Sequence, residues 1–321
     1  MSGDLHTPAG AARALRSTVA VRARARQLLG RARAGASEHF VVNDGAMALA
    51  ASTVAELTRA RYPGGRIPYH SRWRHFEAGG VDRKARLDTW LGAADAAARA
   101  RAQIDLVLVS VLLDAGAGAD WSYLETASGQ RFTRSEGLGV ASLHAFAGGL
   151  FSSDPLHPLR VDATGLQRVT AEQLGHAFHV RRDNPLVGLE GRAALLRRLG
   201  AVMAAQPATF GPLGRPGGLF DVLAAQGGGA VAAHDILVLL LETLSGIWPA
   251  QNAIDGEPLG DCWHHPAVVG EGLTAGWMPF HKLSQWLSYS LLEPFEWAGV
   301  RVTGLDALTG LPEYRNGGLL I

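Results

Sequence analysis

Lysine is almost missing from this chain. Only Lys84 and Lys282 occur, so 28 of the 30 basic residues are arginine. Arg is a planar fork that stays charged, whereas Lys is a compact point charge whose pKa falls readily on burial. Lys282 lies in an apolar, aromatic segment, Pro279 to Tyr289, which makes it a candidate for chemistry. The plainer reading is that its stem packs on apolar surface while its amine reaches water. Cysteine is scarcer still. The lone Cys262 excludes an intramolecular disulfide and fits a reducing compartment, so a cytoplasmic location is expected. An excess of one charge sign is absent too. Thirty basic residues face 29 acidic ones, which is not the electrostatic footprint of a nucleic-acid binder.

Long apolar runs are also lacking. Ile236 to Leu241 falls far short of the roughly 20 residues that a membrane-spanning helix needs, so no membrane partner is expected. No secretory signal is expected. The Arg-rich first 35 residues loosely resemble a transit peptide, but Leu15, Val19, Val21, Leu28 and Leu29 supply a core stripe and favour a surface helix. Metal-binding patterns fail as well. His264 and His265 follow Cys262, but adjacent histidines rarely ligate one ion, and neither they nor His176 and His179 belong to a zinc-spaced cluster. Gly227-Gly228-Gly229 has no Lys-Ser/Thr after it and is not a P-loop. Val161 to Gly165 lacks the acidic pair of a phosphoribosyl-diphosphate loop. No metal and no cofactor are therefore expected.

What is present is helical periodicity. It predicts helices over 8–34, 45–61, 82–113 (one or two), 135–150, 162–178, 189–205, 233–244 and 280–293. The 135–150 helix is rich in small residues and should pack closely on a neighbour. The 280–293 helix should end at Pro294, residues 206–218 should be loop and 249–279 mostly loop, with a strand within 296–303. Alternating strand and helix units are missing, so the fold class is mainly α. The expected organisation is an N-terminal helical segment, 1–36, and a mainly helical catalytic domain, 37–321. The abrupt apolar ending, Gly317 to Ile321, suggests that the domain lacks its C-terminal end.

Two regions concentrate functional side chains. The first is Ile67 to Gly80, where Arg72, Trp73, Arg74 and His75 follow a Gly-Gly turn. Forked guanidinium bonds and aromatic stacking there suit an anionic or planar ligand, although an Arg stacked on Trp73 would look the same. The second is C-terminal. Lys282, Gln285 and Tyr289 share one face of the 280–293 helix, and Phe280, Leu283, Leu287 and Leu291 form its core face. The following loop offers Glu313 and Arg315. The alternative for that pair is a local surface ion pair of little worth.

Five strings carry a family resemblance: RIPYHSRWRHFEAGGVDR (66–83), DLVLVSVLLDAGAGADWSY (105–123), DNPLVGLEGRAALLRRLG (183–200), PFHKLSQWLSYSLLEPFEWAG (279–299) and LTGLPEYRNGGLL (308–320). From about Arg66 onward the chain resembles the bacterial and fungal family linked to uracil catabolism and carried as a domain of unknown function. More distantly, FHKLSQWLSYSLLE and LTGLPEYRNGG are similar to segments of the queuosine salvage N-glycosidases, whose fold is that of helical DNA glycosylases. That likeness implies Lys282 and Glu313 as catalytic residues, with Gln285 and Arg315 on the substrate. It departs in having Glu for Asp at 313, one methylene longer, and Asn316-Gly317 for Pro-Gln. Together the resemblances imply hydrolysis of an N-glycosidic bond in a nucleoside-like intermediate such as ribosylurea. Arg72, Arg74 and His75 would clamp the substrate and Trp73 and Trp121 would wall the pocket. A phosphoribosyltransferase acting on uracil and a non-catalytic ligand-binding protein are the alternatives.

Overall fold

The structure, a computed structural model, describes residues 4–250 and 252–311. In chain order these form α1 (Pro8–Leu15), α2 (Thr18–Arg33), α3 (Met47–Arg61), α4 (Trp73–Phe76), α5 (Arg83–Leu91), α6 (Ala96–Leu112), β1 (Tyr123–Glu125), β2 (Gln130–Phe132), α7 (Arg134–Ala147), α8 (Ala163–Arg168), α9 (Ala171–Ala177), α10 (Leu189–Ala204), α11 (Pro207–Phe210), α12 (Gly218–Gln226), β3 (Ala230–Ala232), α13 (Ala233–Leu244), β4 (Ala253–Ile254), β5 (Glu257–Pro258), β6 (Cys262–His264), β7 (Trp277–Pro279), α14 (Lys282–Trp297) and β8 (Arg301–Thr303). The fold is mainly α, as the periodicity requires. Among the described residues the strands make only two-stranded pairs, and β3–β8 alone is parallel. Such a fold stands against the α/β transferase alternative.

The chain divides into two compact units. Among the described residues one draws on 4–69, 252–282 and 309–311, the other on 70–250 and 283–308. In the first unit, the single helix expected over 8–34 is two. Arg16 leaves the helical conformation, and the Ser17 hydroxyl accepts the Ala20 N–H at 3.2 Å to start α2. A serine cap of this kind satisfies one of the donors that a helix start leaves open. Ala11, Ala12 and Leu15 of α1 pack with Ile254, Leu259 and Cys262. Burial pushes the Cys262 thiol up to about 12, so it packs as a small hydrophobe rather than reacting. The stretch 249–279, expected to be mostly loop, is so, with two short antiparallel strand pairs, β4–β5 and β6–β7, organising it.

In the second unit α6 is the central helix, buried continuously from Ala102 to Leu112. It carries a buried carboxylate, Asp105. That group accepts Arg215 Nη2 at 2.7 Å, Val161 N–H at 3.0 Å and Gly217 N–H at 2.7 Å, which ties two loops to the helix. The small residues of α7 permit the close packing expected of them. A Cβ on Gly139 would lie 3.0 Å from His75 Cβ and 3.4 Å from Arg72 Cζ, so only glycine lets α7 approach α4 this closely. The segment 162–178 splits into α8 and α9, because Thr170 and Gln173 form a capping box that begins a new helix.

The helix α14 corrects two expectations. It does not stop at Pro294 but continues to Trp297. Proline lacks the N–H that would bond the carbonyl four residues earlier. That carbonyl, Ser290 O, instead accepts the Trp73 indole N–H at 3.0 Å. Nor does α14 have a polar face where Gln285 was placed. Ser284 to Ser288 and Ser290 to Phe295 are buried, and Gln285 is fully so. A helix buried on nearly all sides belongs to the core of its unit.

Candidate functional site

Within the second unit, α4, α6, α7 and α14 converge on one guanidinium. Arg72 immediately precedes α4 and is completely buried. Its backbone N–H donates to Ser290 Oγ at 2.9 Å, which locks the start of α4 to α14. Nε donates to Ser110 Oγ at 2.6 Å, and that hydroxyl lies 2.5 Å from Ser142 Oγ of α7. Nη1 donates to Asp114 Oδ2 at 2.9 Å and to Ser135 O at 3.1 Å. Nη2 is buried and finds no hydrogen-bond partner among the described residues. Burial pulls the Arg72 pKa down and Asp114 pushes it back up. A guanidinium does not lose its proton in a protein, so a charged group with one free donor edge sits in the interior.

Trp286 of α14 lies against that guanidinium, with Arg72 Cζ 5.6 Å from its ring centroid. Its indole Nε1 is also buried and without a partner among the described residues. The ring of His75 meets Trp286 edge-on at 5.7 Å, and the His70 ring lies 6.3 Å away. Burial first, then the charges of Arg72 and His70, hold the His75 imidazole down at about 3. His75 is therefore neutral near pH 7. Its Nδ1 faces Arg72 Nη1 at 3.4 Å. An arginine can only donate, so Nδ1 accepts and the ring proton resides on Nε2.

Because the folded pKa of His75 lies below its ordinary 6.5, the unfolded chain takes up the proton first as pH falls. Stability is then lost progressively from about pH 6.5 towards pH 3. Melting temperature is expected to drop on acidification from pH 7 to about pH 4, and a His75→Gln variant should show a shallower drop. An unchanged slope in that variant would contradict the assignment.

The other predicted residues are placed differently. Arg74 turns to carboxylates, with Nη2 to Glu293 Oε1 at 2.6 Å and Nη1 to Glu77 Oε1 at 2.9 Å. Trp73 packs edge-on against Phe76 and Trp297 and spends its N–H on Ser290 O. Trp121 is fully buried beside Phe178 and donates to Phe178 O at 3.0 Å. Both indoles are core members here. Gln285 is buried on α14, next in sequence to Trp286. Lys282 is half-buried at the start of α14, where its backbone N–H donates to Asp261 Oδ2 at 2.8 Å. Glu313 and Arg315 lie outside the described residues. Arg72 and His75 are thus brought together with Trp286, Ser110 and Asp114, none of which the sequence reading singled out. Asp114 and Ser110 stand four apart at the end of α6, a polar pair closing an apolar run; that interruption was the available signal.

Among the described residues no group of three or more His, Cys, Asp and Glu side chains could hold a metal ion. Nor is any described helix long and apolar enough to cross a membrane. Two surface grooves, one lined by Trp90, Ala147, Pro158 and Leu159 and one running from Arg101 to Val222, share no residue with the Arg72 group.

Comparison with known proteins bears on what such a site serves. The family model described as "Protein of unknown function (DUF1688)" matches residues 14–321. "Uracil catabolism protein 4" of Lachancea kluyveri is 42% identical over 268 residues, which is 79% of this chain and 61% of that protein. "Protein urg3" of Schizosaccharomyces pombe is 39% identical over 309 residues, 94% of this chain and 73% of that protein. The chain thus spans between three fifths and three quarters of the length of these curated relatives.

Proposed function

The chain belongs to the family described as "Protein of unknown function (DUF1688)", and from that premise we propose that it serves uracil catabolism as an N-glycosidase. The substrate is ribosylurea or its 5′-phosphate. The Lachancea kluyveri relative has uracil catabolism in its name, which supports the pathway. The observation that carries a small, hydrogen-bonding substrate is the buried Arg72 guanidinium with its free Nη2 edge. An unmet buried donor costs stability, and a ligand acceptor is what would repay it.

The reaction breaks the C1′–N bond and forms a C1′–O bond with water. One proton of that water ends on the urea nitrogen. Positive charge develops on the sugar ring, and a carboxylate facing C1′ stabilises it and orients the water. The likeness to the queuosine salvage proteins assigns that role to Glu313. It assigns Lys282 the role of assisting the departure of urea, a poor leaving anion that needs a proton. Arg72 and His75 hold the substrate.

The test incubates the protein with ribosylurea, its 5′-phosphate and uridine monophosphate, and measures urea and free uracil. Urea release from one of the first two is expected. A Lys282→Ala protein should release it about a hundredfold more slowly. Free uracil from uridine monophosphate without urea from the others would contradict the reading.

A further inference from the structure

The two unmet donors also say which end of the substrate they take. Resting on the glycosidase reading for the substrate's identity, we propose that the Arg72–Trp286 group binds the neutral, planar N–C(=O)–N moiety, with Trp286 as a specificity-determining donor, and rejects a phosphate.

Geometry supplies the first half of the argument. Arg72 Nη2 and Trp286 Nε1 sit on side chains in contact, and both are buried without an acceptor among the described residues. Every other donor edge of Arg72 is used, on Ser110, Asp114 and Ser135. A carbonyl oxygen has two lone pairs and can accept from two donors. A flat ureide can also lie against an indole face, as aromatic rings do in offset stacks.

Charge supplies the second half. Arg72 is positive, but Asp114 pairs with it directly and Glu136 acts on it from farther away. Asp114 also acts on a second cation, Arg192, itself buried and bonded to the carbonyls of Ala115 and Gly116. Two cations thus face two carboxylates. His75, between Arg72 and Trp286, is neutral. His70, which also acts on His75 and lies 6.3 Å from the Trp286 ring, adds positive charge only when protonated, so these groups together stand close to neutral. A phosphate brings about two negative charges near neutral pH, and burying them without compensating cations is strongly unfavourable. A neutral carbonyl meets the same donors without that cost.

The experiment titrates the full chain calorimetrically with ribosylurea, uracil, ribose 5-phosphate and inorganic phosphate. Wild type is compared with Trp286→Phe, which keeps a ring face but has no N–H, and with Asp114→Asn, which removes one negative charge. Trp286→Phe should weaken ribosylurea or uracil about tenfold and leave ribose 5-phosphate unchanged. Loss of packing alone would weaken all ligands alike. Asp114→Asn should raise the affinity for inorganic phosphate relative to that for the ureide about tenfold or more, whatever it does to both. If Trp286→Phe does not fold, Asp114→Asn decides alone.

Equal weakening of every ligand by Trp286→Phe would overturn the proposal. So would inorganic phosphate binding wild type as tightly as the ureide does, or an affinity for phosphate relative to the ureide that Asp114→Asn leaves unchanged. Ureide binding that depends on Trp286 without any urea release would overturn the glycosidase reading and leave this proposal standing. Urea release with ureide affinity unchanged in Trp286→Phe would do the reverse. No binding of any compound would overturn both.

Discussion

A Glu313→Gln protein is expected to release urea from ribosylurea about a hundred- to ten-thousand-fold more slowly than wild type, with its melting temperature unchanged. Substitution by Gln keeps size and polarity but removes the negative charge. That charge has nothing to stabilise in the ground state, where the sugar is neutral. It acts as the C1′–N bond breaks and positive charge spreads over the ring. The loss should therefore fall on kcat, with KM little moved. A Glu313→Asp protein restores the charge at the side-chain length of the queuosine salvage proteins. It should recover part of the rate, the shortfall reporting how far one methylene shifts the attacking water. Steady-state kinetics on the three proteins checks this. A Glu313→Gln protein with full kcat would remove Glu313 from the mechanism.

The largest effect on stability is expected at Glu125. This carboxylate, 1% exposed, is held by a bidentate Arg83, with Nε to Oε1 at 2.8 Å and Nη2 to Oε2 at 2.6 Å. Ser128 and His144 add bonds at 2.5 and 2.8 Å. Burial alone would raise its pKa, but Arg83, Ser128 and His144 outweigh it and hold the group at about 2. Arg83 is itself fully buried and also donates to Phe76 O and Ala78 O. The pair thus joins β1 to the turn that follows α4. A Glu125→Gln substitution strands the buried cation and should cost about 3–5 kcal/mol. For a protein of this size that is a fall of roughly 10 °C in melting temperature. Replacing both partners with apolar residues should recover much of the loss, since no buried charge is then left alone. The same pair dictates an acid response. Its folded pKa is below the ordinary value of 4.5, so its contribution is complete above about 4.5 and disappears as pH falls towards 2. Thermal melts of the single and double variants check both points. A single variant that melts within about 2 °C of wild type would contradict the role given to the pair.

The helices were legible because their signals are local. Serine, threonine and aspartate caps, breaker clusters and 3.6-residue periodicity lie within one segment. The bounds of α10 and α13 match the sequence reading closely, Leu189–Ala204 and Ala233–Leu244. Where the reading failed, the cause was a distant partner. Pro294 does not end α14 because an indole from Trp73, 217 residues away, takes the orphaned Ser290 carbonyl. Nothing near Pro294 signals that. Gln285 was assigned to an open polar face because periodicity reports polarity, not packing, and this helix is enclosed.

The site was legible in part for the same reason. The density of Arg, His and Trp over 67–80 singled out a segment in which Arg72 and His75 do meet. Which of the two neighbouring arginines faces inward was not readable. Arg72 is chosen by Ser110, Asp114 and Ser135, which come from α6, the turn that follows it and the start of α7. Arg74 is drawn off by Glu77 and Glu293. Trp286 stood in the apolar segment that drew attention to Lys282, but only burial of its unpaired N–H distinguishes it from a core indole.

One measurement tests the central claim most directly. Ribosylurea is incubated with the protein, and urea, free ribose, ammonia and carbon dioxide are quantified together. N-glycosidase chemistry predicts one urea for each ribose released, with no ammonia and no carbon dioxide. Ammonia and carbon dioxide formed in place of urea would place the attack at the ureido carbonyl instead of C1′, and would contradict the account.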